Sequence, residues 1–177
     1  MRALVTPLLL GLLVGCGSNP GGIPDFSLED VNATSPTFGQ ELGPADFEGE
    51  VSAWYFGWAD CPICQSHMRS LDALSSDLGP TDVPVTILGI NDPGRISGND
   101  AMTDGLDLAW LQDTPEDDVF GAWPPAEIRE LKIIGPDGQL HASLNLNVDD
   151  PGTEDGGTKV TEALQAAAAV PVSDGAE

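Results

Sequence analysis

The chain has 177 residues and is strongly acidic, with 29 Asp and Glu against 6 Lys and Arg and a formal net charge of -23. This length suits one ordinary domain with its own core and is short for two. Binding to nucleic acid or to anionic lipid headgroups needs clustered Lys and Arg, so the charge argues against both as partners. The acidic residues are spread along the chain, which indicates a solvated surface whose charged partners would be cationic.

The N-terminal stretch is typical of a secretion signal. A charged start precedes an apolar run over residues 3–14, which is shorter than the ~20 residues that cross a bilayer. The run ends in the sequence LVGC at Cys16, which resembles the lipobox of bacterial lipoproteins; an ordinary secretory signal is the alternative. The resemblance implies that residues 1–15 are removed and that Cys16 carries a lipid, followed by a flexible tether over 16–24. It predicts a bacterial cell-envelope protein, periplasm-facing or on the outer membrane, attached to the membrane through that lipid only.

The remaining chain alternates between predicted strands and helices after an irregular arm. In chain order the pattern predicts strand 51–57, helix 61–78, strand 83–90, short helix 100–105, strand 108–111, helix 114–120, strands 129–134 and 140–146, and helix 158–170. The apolar strands 51–57 and 83–90 indicate burial on both faces and a crossover helix between parallel strands. We therefore predict one α/β domain over 25–171, with a central mixed sheet, a terminal antiparallel hairpin and flanking helices. A disordered tail is predicted over 172–177.

Cys61 and Cys64 lie where the first long strand turns into the first long helix. At a helix N-terminus, the unpaired backbone N–H groups and the positive dipole end favour a thiolate over a thiol. A structural disulfide closing so short a loop would constrain the unfolded chain little. The pair is therefore predicted to be redox-active and not to serve as a structural disulfide.

These segments together resemble the redoxin branch of the thioredoxin-like proteins, close to the membrane-tethered TlpA and ResA type and related to the AhpC/TSA proteins. The segments that carry the resemblance are Asp25 to Leu28, Phe38-Gly39, Tyr55 to Cys64 and Ile133 to Gly138. The resemblance implies a thioredoxin-like fold and a thiol–disulfide oxidoreductase that acts on protein thiols or disulfides of the envelope without a cofactor. It also implies that Cys61 is the exposed nucleophilic thiol and that Cys64 is the buried resolving thiol.

Five residues near the pair are predicted to modulate it: Trp58, Asp60, Pro62, His67 and Arg129. Related families place a cis-proline before the hairpin, at a position that falls near Arg129 or Glu130 in this chain. Neither residue is a proline. Residues 118–121, 128–134 and 138–140 carry a looser resemblance to the N-terminal domain of selenoprotein P, which also lacks that proline.

Asp60 directly precedes Cys61, and a carboxylate at that position opposes a thiolate. His67 and Arg69 are the cations nearest in sequence. We therefore predict a less acidic Cys61 thiol than in a strongly oxidising oxidoreductase, and a pair that acts as a reductant or a mild oxidant.

Metal binding is the main alternative function. Cys61, Cys64 and His67, spaced three apart, can face one ion, and Sco-type copper chaperones use two cysteines and a distant histidine, for which His141 is the candidate. The simpler interpretations are a solvated helix position for His67 and a strand-surface position for His141. A non-enzymatic envelope lipoprotein with a structural disulfide is a third possibility. Peroxidase activity is disfavoured because the proline and hydroxyl that precede a peroxiredoxin thiol are absent.

Overall fold

A computed structural model describes residues 22–171 of the chain. The predicted signal peptide, the predicted lipid site at Cys16, most of the predicted tether and the predicted tail lie outside the described residues. Within 22–171, no helix is both long enough and apolar enough to cross a membrane.

The described chain folds into short and long strands interleaved with helices. The strands are β1 (Leu28–Glu29), β2 (Glu41–Leu42), β3 (Val51–Gly57), β4 (Val85–Asn91), β5 (Ala109–Gln112), β6 (Glu130–Ile134) and β7 (Leu140–Asn145). The α-helices are α1 (Pro62–Asp77), α2 (Asn99–Thr103), α3 (Val119–Ala122) and α4 (Glu154–Ala168).

One five-stranded sheet, in the order β5-β4-β3-β6-β7, forms the centre of the molecule. β3 pairs in parallel with β4, and β4 with β5, whereas β6 is antiparallel to both β3 and β7. β1 and β2 form a separate antiparallel pair in the N-terminal arm. This mixed sheet with its terminal hairpin confirms the predicted α/β, thioredoxin-like architecture.

β3 is the central strand, and all seven of its residues are buried. Successive side chains of a strand point to opposite faces. Tyr55 accordingly joins the core packed against α1 and α4, whereas Trp54 and Phe56 join the core under the arm and α3. The strand therefore delivers Tyr55 to the same side of the sheet as the first helix and its cysteines.

Two predicted helix boundaries were wrong for local reasons. Helix 114–120 was expected to begin at Thr114, but α3 begins at Val119 because the buried Asp113 carboxylate accepts the N–H groups of Thr114, Val119 and Phe120. The last helix was expected to begin at residue 158, yet α4 begins at Glu154. The Thr153 hydroxyl caps it by accepting the N–H of Gly156, in a segment whose glycines had suggested a loop.

Candidate functional site

The two cysteines lie at the start of α1 as free thiols. Cys61 is the N-cap residue, and its sulfur accepts the backbone N–H of Cys64 at 3.4 Å. Pro62 occupies the first helical position, where the absence of an N–H loses no helical hydrogen bond. Cys61 is partly exposed and Cys64 is completely buried. The geometry thus presents one thiol to the outside and keeps the other against the core.

Three hydrogen bonds hold the turn that leads into Cys61. The backbone N–H of Cys61 bonds the carbonyl of Trp58 at 3.0 Å, and the N–H of Ala59 bonds the buried Asn91 side chain at 3.0 Å. The Gln65 side chain donates to the Ala59 carbonyl at 2.8 Å. Sequence reasoning missed Asn91 and Gln65; a polar residue that ends the otherwise apolar strand β4 was the available signal.

Arg129, the residue before β6, lies against Cys61 of the dithiol. Its Nη1 is 3.9 Å from the Cys61 sulfur. Its φ of 75° is in the left-handed region, which a non-glycine residue keeps only when its surroundings hold it there. The Arg129 N–H bonds the Phe56 carbonyl at 2.8 Å, and its own carbonyl accepts the N–H of Leu146 at 2.9 Å. The position predicted for the family's proline therefore carries a cation facing Cys61, and no cis peptide bond occurs within residues 22–171.

A buried polar cluster fixes the segment that precedes Arg129. The Lys132 ammonium, on a residue 6% exposed, donates to the carbonyls of Trp123 at 3.3 Å and Pro124 at 2.9 Å. The Glu130 carboxylate accepts the N–H of Ala126. The segment from 123 to 129 is thus tied to β6 by side chains of β6 itself.

The charge balance around Asp60 differs from the sequence prediction. Asp60 forms an ion pair with Arg95 at 2.9 Å, and the Arg95 guanidinium stacks 4.4 Å above the ring of Trp58. The predicted counterweights were wrong, because Arg69 is exposed on α1 and His67 is buried. Arg95 and Arg129, distant in sequence, take that place and offset the carboxylate beside the nucleophile.

The pKa values of the two thiols shift in opposite directions. Burial by itself raises the pKa of Cys61, but hydrogen bonds from Cys64 and the N–H of Ile63, with the charge of Arg129, outweigh it and lower that pKa below its usual value. Burial, assisted by the neighbouring Cys61, raises the pKa of Cys64 to about 11. Cys61 is therefore the thiol that ionises first.

His67 is a core residue and not the solvated one that its sequence position suggested. It is 2% exposed, and burial lowers its pKa despite the Asp150 carboxylate 3.6 Å from its Nε2. Its ring lies edge-on to Tyr55, with ring centroids 6.3 Å apart. The signal was present in the sequence, since His67 follows Cys64 by three and precedes Leu71 by four on the apolar face of α1.

Three buried side-chain atoms within residues 22–171 have no hydrogen-bond partner, and all belong to this site. They are the Tyr55 hydroxyl, Nδ1 of His67 and Nε of Arg129. Leaving a buried polar group unpaired costs about 1–3 kcal/mol, so such atoms are rare. Burial, followed by the neighbouring Cys64, raises the pKa of Tyr55 well above its usual value, so its hydroxyl stays protonated.

The alternative metal-ligand set is not assembled. Among residues 22–171, no three His, Cys, Asp or Glu side chains converge so that they could hold an ion. His141, the predicted distant ligand, bonds Asp137 at 2.8 Å within the β6–β7 hairpin. Cys61, Cys64, His67 and His141 therefore do not form a preassembled ligand cluster in the described chain, and metal binding by them stays a prediction.

Comparisons with known proteins support the fold. A family model described as SCO1/SenC matches residues 25–95, a segment that includes both cysteines and is less than half of the 177-residue chain. A search of curated proteins gave no match.

Several solved structures share the fold. A secreted thiol-disulfide isomerase from Corynebacterium glutamicum has 21% identity and a TM-score of 0.62, covering 82% of this chain and 84% of its own. A secreted disulfide oxidoreductase from Mycobacterium tuberculosis, homologous to E. coli DsbE, has 17% identity and a TM-score of 0.56 over 80% and 95%. Arabidopsis thaliana ScoI, solved with copper bound, has 17% identity and a TM-score of 0.57 over 80% and 96%. The protein therefore has a thioredoxin-like fold with its cysteine pair at the start of the first long helix.

Replacing Arg129 with methionine is expected to slow alkylation of Cys61 by iodoacetamide about three- to tenfold at neutral pH. The variant removes the cation 3.9 Å from the sulfur and therefore raises the pKa of Cys61. Arg129→Lys is the matched control, because it keeps the charge and carries the same left-handed backbone strain. Equal alkylation rates in the wild type and in Arg129→Met would show that the guanidinium does not stabilise the thiolate.

Proposed function

We propose that this protein is a thiol–disulfide oxidoreductase of the bacterial cell envelope, anchored to the membrane through a lipid on Cys16. The observation that carries the proposal is that the two thiols differ in exposure and in pKa. Cys61 is partly exposed, with a lowered pKa and a cation beside it, and Cys64 is buried with a pKa raised to about 11. Such a pair attacks with one thiol and resolves with the other.

The chemistry uses only the two thiols and a partner disulfide. The Cys61 thiolate attacks one partner sulfur, a mixed disulfide forms, and the other partner sulfur leaves as a thiolate that takes up a proton. Cys64 then loses its proton and attacks the Cys61 sulfur, which releases the second partner thiol and leaves a Cys61–Cys64 disulfide. The partner gains two electrons and the dithiol loses two; the reverse sequence oxidises a partner dithiol.

The location and the anchor rest on the sequence alone. The LVGC motif at Cys16 and the tether over 16–24 support a lipidated, envelope-facing domain. Radiolabelled palmitate incorporated into the wild type and absent from Cys16→Ser would establish the anchor.

Trapping tests the enzymatic proposal. We expect a Cys64→Ser variant to accumulate mixed disulfides with envelope proteins, because the intermediate can no longer be resolved. These adducts should disappear on reduction and be absent from the Cys61→Ser/Cys64→Ser double variant, the matched control. Absence of adducts in Cys64→Ser, with a normally folded domain, would contradict the proposal.

Copper binding is the second candidate function, and the SCO1/SenC match over residues 25–95 is the observation that motivates it. Among residues 22–171, no third His, Cys, Asp or Glu side chain is already assembled with the two thiols. Metal analysis of the reduced protein after exposure to Cu(I) and gel filtration distinguishes the two. Stoichiometric copper that survives gel filtration would favour the second candidate.

A further inference from the structure

We propose that three amide side chains, those of Asn91, Asn99 and Gln112, position the turn before Cys61 and thereby set the reduction potential of the dithiol. We call these residues the amide triad. The inference rests on the proposed oxidoreductase function and names residues that tune its site. They are positioning residues, because they act through the backbone of the turn and not on the sulfurs themselves.

The amide triad lies at the edge of the sheet where the parallel strands end. Asn91 is the last residue of β4, and its register partners are Gly57, the last residue of β3, and Gln112, the last residue of β5. Asn99 is the first residue of α2. Because the turn into Cys61 follows Gly57 directly, it starts beside the triad.

Every polar atom of the Asn91 side chain has a partner. Its Oδ1 accepts the N–H of Ala59 at 3.0 Å, and its Nδ2 donates to Oδ1 of Asn99 and Oε1 of Gln112, both at 2.9 Å. Asn99 is held in turn, because its Nδ2 donates to Gln112 and its Oδ1 accepts the indole N–H of Trp110, both at 2.9 Å. A flipped Asn91 amide would set donor against donor at Ala59 and oxygen against two oxygens. The triad therefore fixes an acceptor on the turn.

The turn carries backbone groups on which both thiols depend. The N–H of Cys61 donates to the carbonyl of Trp58 at 3.0 Å, and the Cys61 sulfur accepts the N–H of Cys64 at 3.4 Å. Burial raises the pKa of Cys64 to about 11, and a hydrogen bond from the backbone N–H of Trp58 opposes that rise. A displacement of the peptide between Trp58 and Ala59 would therefore change the surroundings of both sulfurs.

The amide triad also holds the segment that carries Arg95. Gln112 donates to the carbonyl of Asp92 at 3.5 Å, and Asn99 holds the other end of this segment through its bonds within the triad. Arg95 lies between these two points in sequence and pairs with Asp60 at 2.9 Å. One network thus fixes the turn and the cation that offsets the carboxylate beside Cys61.

The two redox forms depend unequally on this support. In the oxidised form, the covalent S–S bond keeps the two sulfurs together. In the reduced form, hydrogen bonds alone hold Cys61 as the N-cap of α1. Loss of the triad should therefore weaken the reduced form more, favour the disulfide and lower the reduction potential. A role confined to folding would weaken both forms equally and leave the redox equilibrium unchanged.

Redox titration measures this difference directly. The protein is equilibrated in buffers of graded reduced and oxidised glutathione, quenched in acid, and its free thiols are alkylated and counted by mass. We expect Asn91→Ala to shift the equilibrium constant about tenfold towards the disulfide, which corresponds to ~30 mV. Asn99→Ala keeps the acceptor on Ala59 but removes a partner of Asn91, so we expect a shift of about threefold.

Asn32→Ala is the matched control, since it removes another buried amide. Asn32 is 1% exposed and donates to the carbonyls of Leu106 and Leu108 at 2.8 Å and 2.7 Å, in the segment before β5. This variant should lower the urea midpoint and keep the wild-type equilibrium constant. Equilibrium constants in Asn91→Ala and Asn99→Ala that match the control would overturn the proposal. If Asn91→Ala does not fold, Asn99→Ala decides in the same way.

The wild type distinguishes failure of this inference from failure of the proposed function. A wild type that forms no disulfide between Cys61 and Cys64 in any glutathione buffer would overturn both. A wild type that forms it but does not accelerate the reduction of insulin disulfides would overturn the oxidoreductase proposal, and the equilibrium constants of the variants would still decide the role of the triad. Active wild type with unshifted variants would overturn the role of the triad alone.

Discussion

Replacing Gly98 with alanine is expected to destabilise the domain by about 1–3 kcal/mol and to slow the proposed disulfide reduction at least tenfold. A Cβ at this position would lie 2.4 Å from the carbonyl carbon of Ala59 and 2.5 Å from the nitrogen of Asp60. Both contacts are with backbone, so no side chain can rotate away. Because this backbone leads directly into Cys61, relief of the clash displaces the nucleophile.

The backbone of Gly98 itself is ordinary, with φ at -92°, so alanine adds the clash without conformational strain. Gly94→Ala is the matched control in the same loop, since its Cβ would meet only the Asp92 carboxylate oxygen, at 3.3 Å. Urea denaturation and the rate of insulin disulfide reduction measure the two effects. A Gly98→Ala protein as stable and active as Gly94→Ala would show that the loop position is unimportant for the thiol.

Replacing Lys132 with methionine is expected to lower the free energy of unfolding by about 2–3 kcal/mol. Methionine has a similar length but cannot donate to the carbonyls of Trp123 and Pro124, which the ammonium bonds at 3.3 Å and 2.9 Å. The ammonium also lies 4.8 Å from the ring of Trp123 and 5.3 Å from that of Phe56, positions favourable for a cation over an aromatic face. The loss should loosen the segment that precedes Arg129.

Hydrogen exchange of the 123–129 backbone amides, together with thermal unfolding, measures this second effect. Lys159→Met is a suitable control, because Lys159 is exposed and its ion pair with Asp149 contributes little to stability. Loss of stability no larger than in the control, with unchanged exchange, would show that the buried ammonium is not what fixes the segment.

Local signals explain why most of the fold was predictable. Consecutive residues encode the apolar runs of β3 and β4, the end of α1 and the turn of the β6–β7 hairpin. The start of α3 was not predictable in this way. It depends on a buried carboxylate, Asp113, that holds the chain in a turn for several residues before the helix begins.

The site was predictable only in its cysteines. Their spacing, the strand before them and the helix after them lie within one short stretch, and the structure places one thiol partly outside and the other inside. The cations were not predictable, because Arg95 and Arg129 approach Asp60 and Cys61 across 35 and 68 residues of sequence. The sequence suggested the cations nearest along the chain, whereas the fold brings other cations closest in space.

Because one of the few cations lies against the dithiol, the electrostatic potential at Cys61 differs from the negative potential around the protein as a whole. Out to about the Debye length of about 10 Å from its surface the protein acts as a polyanion, so its field repels anionic molecules and attracts cationic ones. At contact distance the Cys61 sulfur experiences Arg129 instead. Added salt screens the first field far more than the second. Ionic strength can therefore change which partners reach the dithiol without changing how readily its thiolate forms.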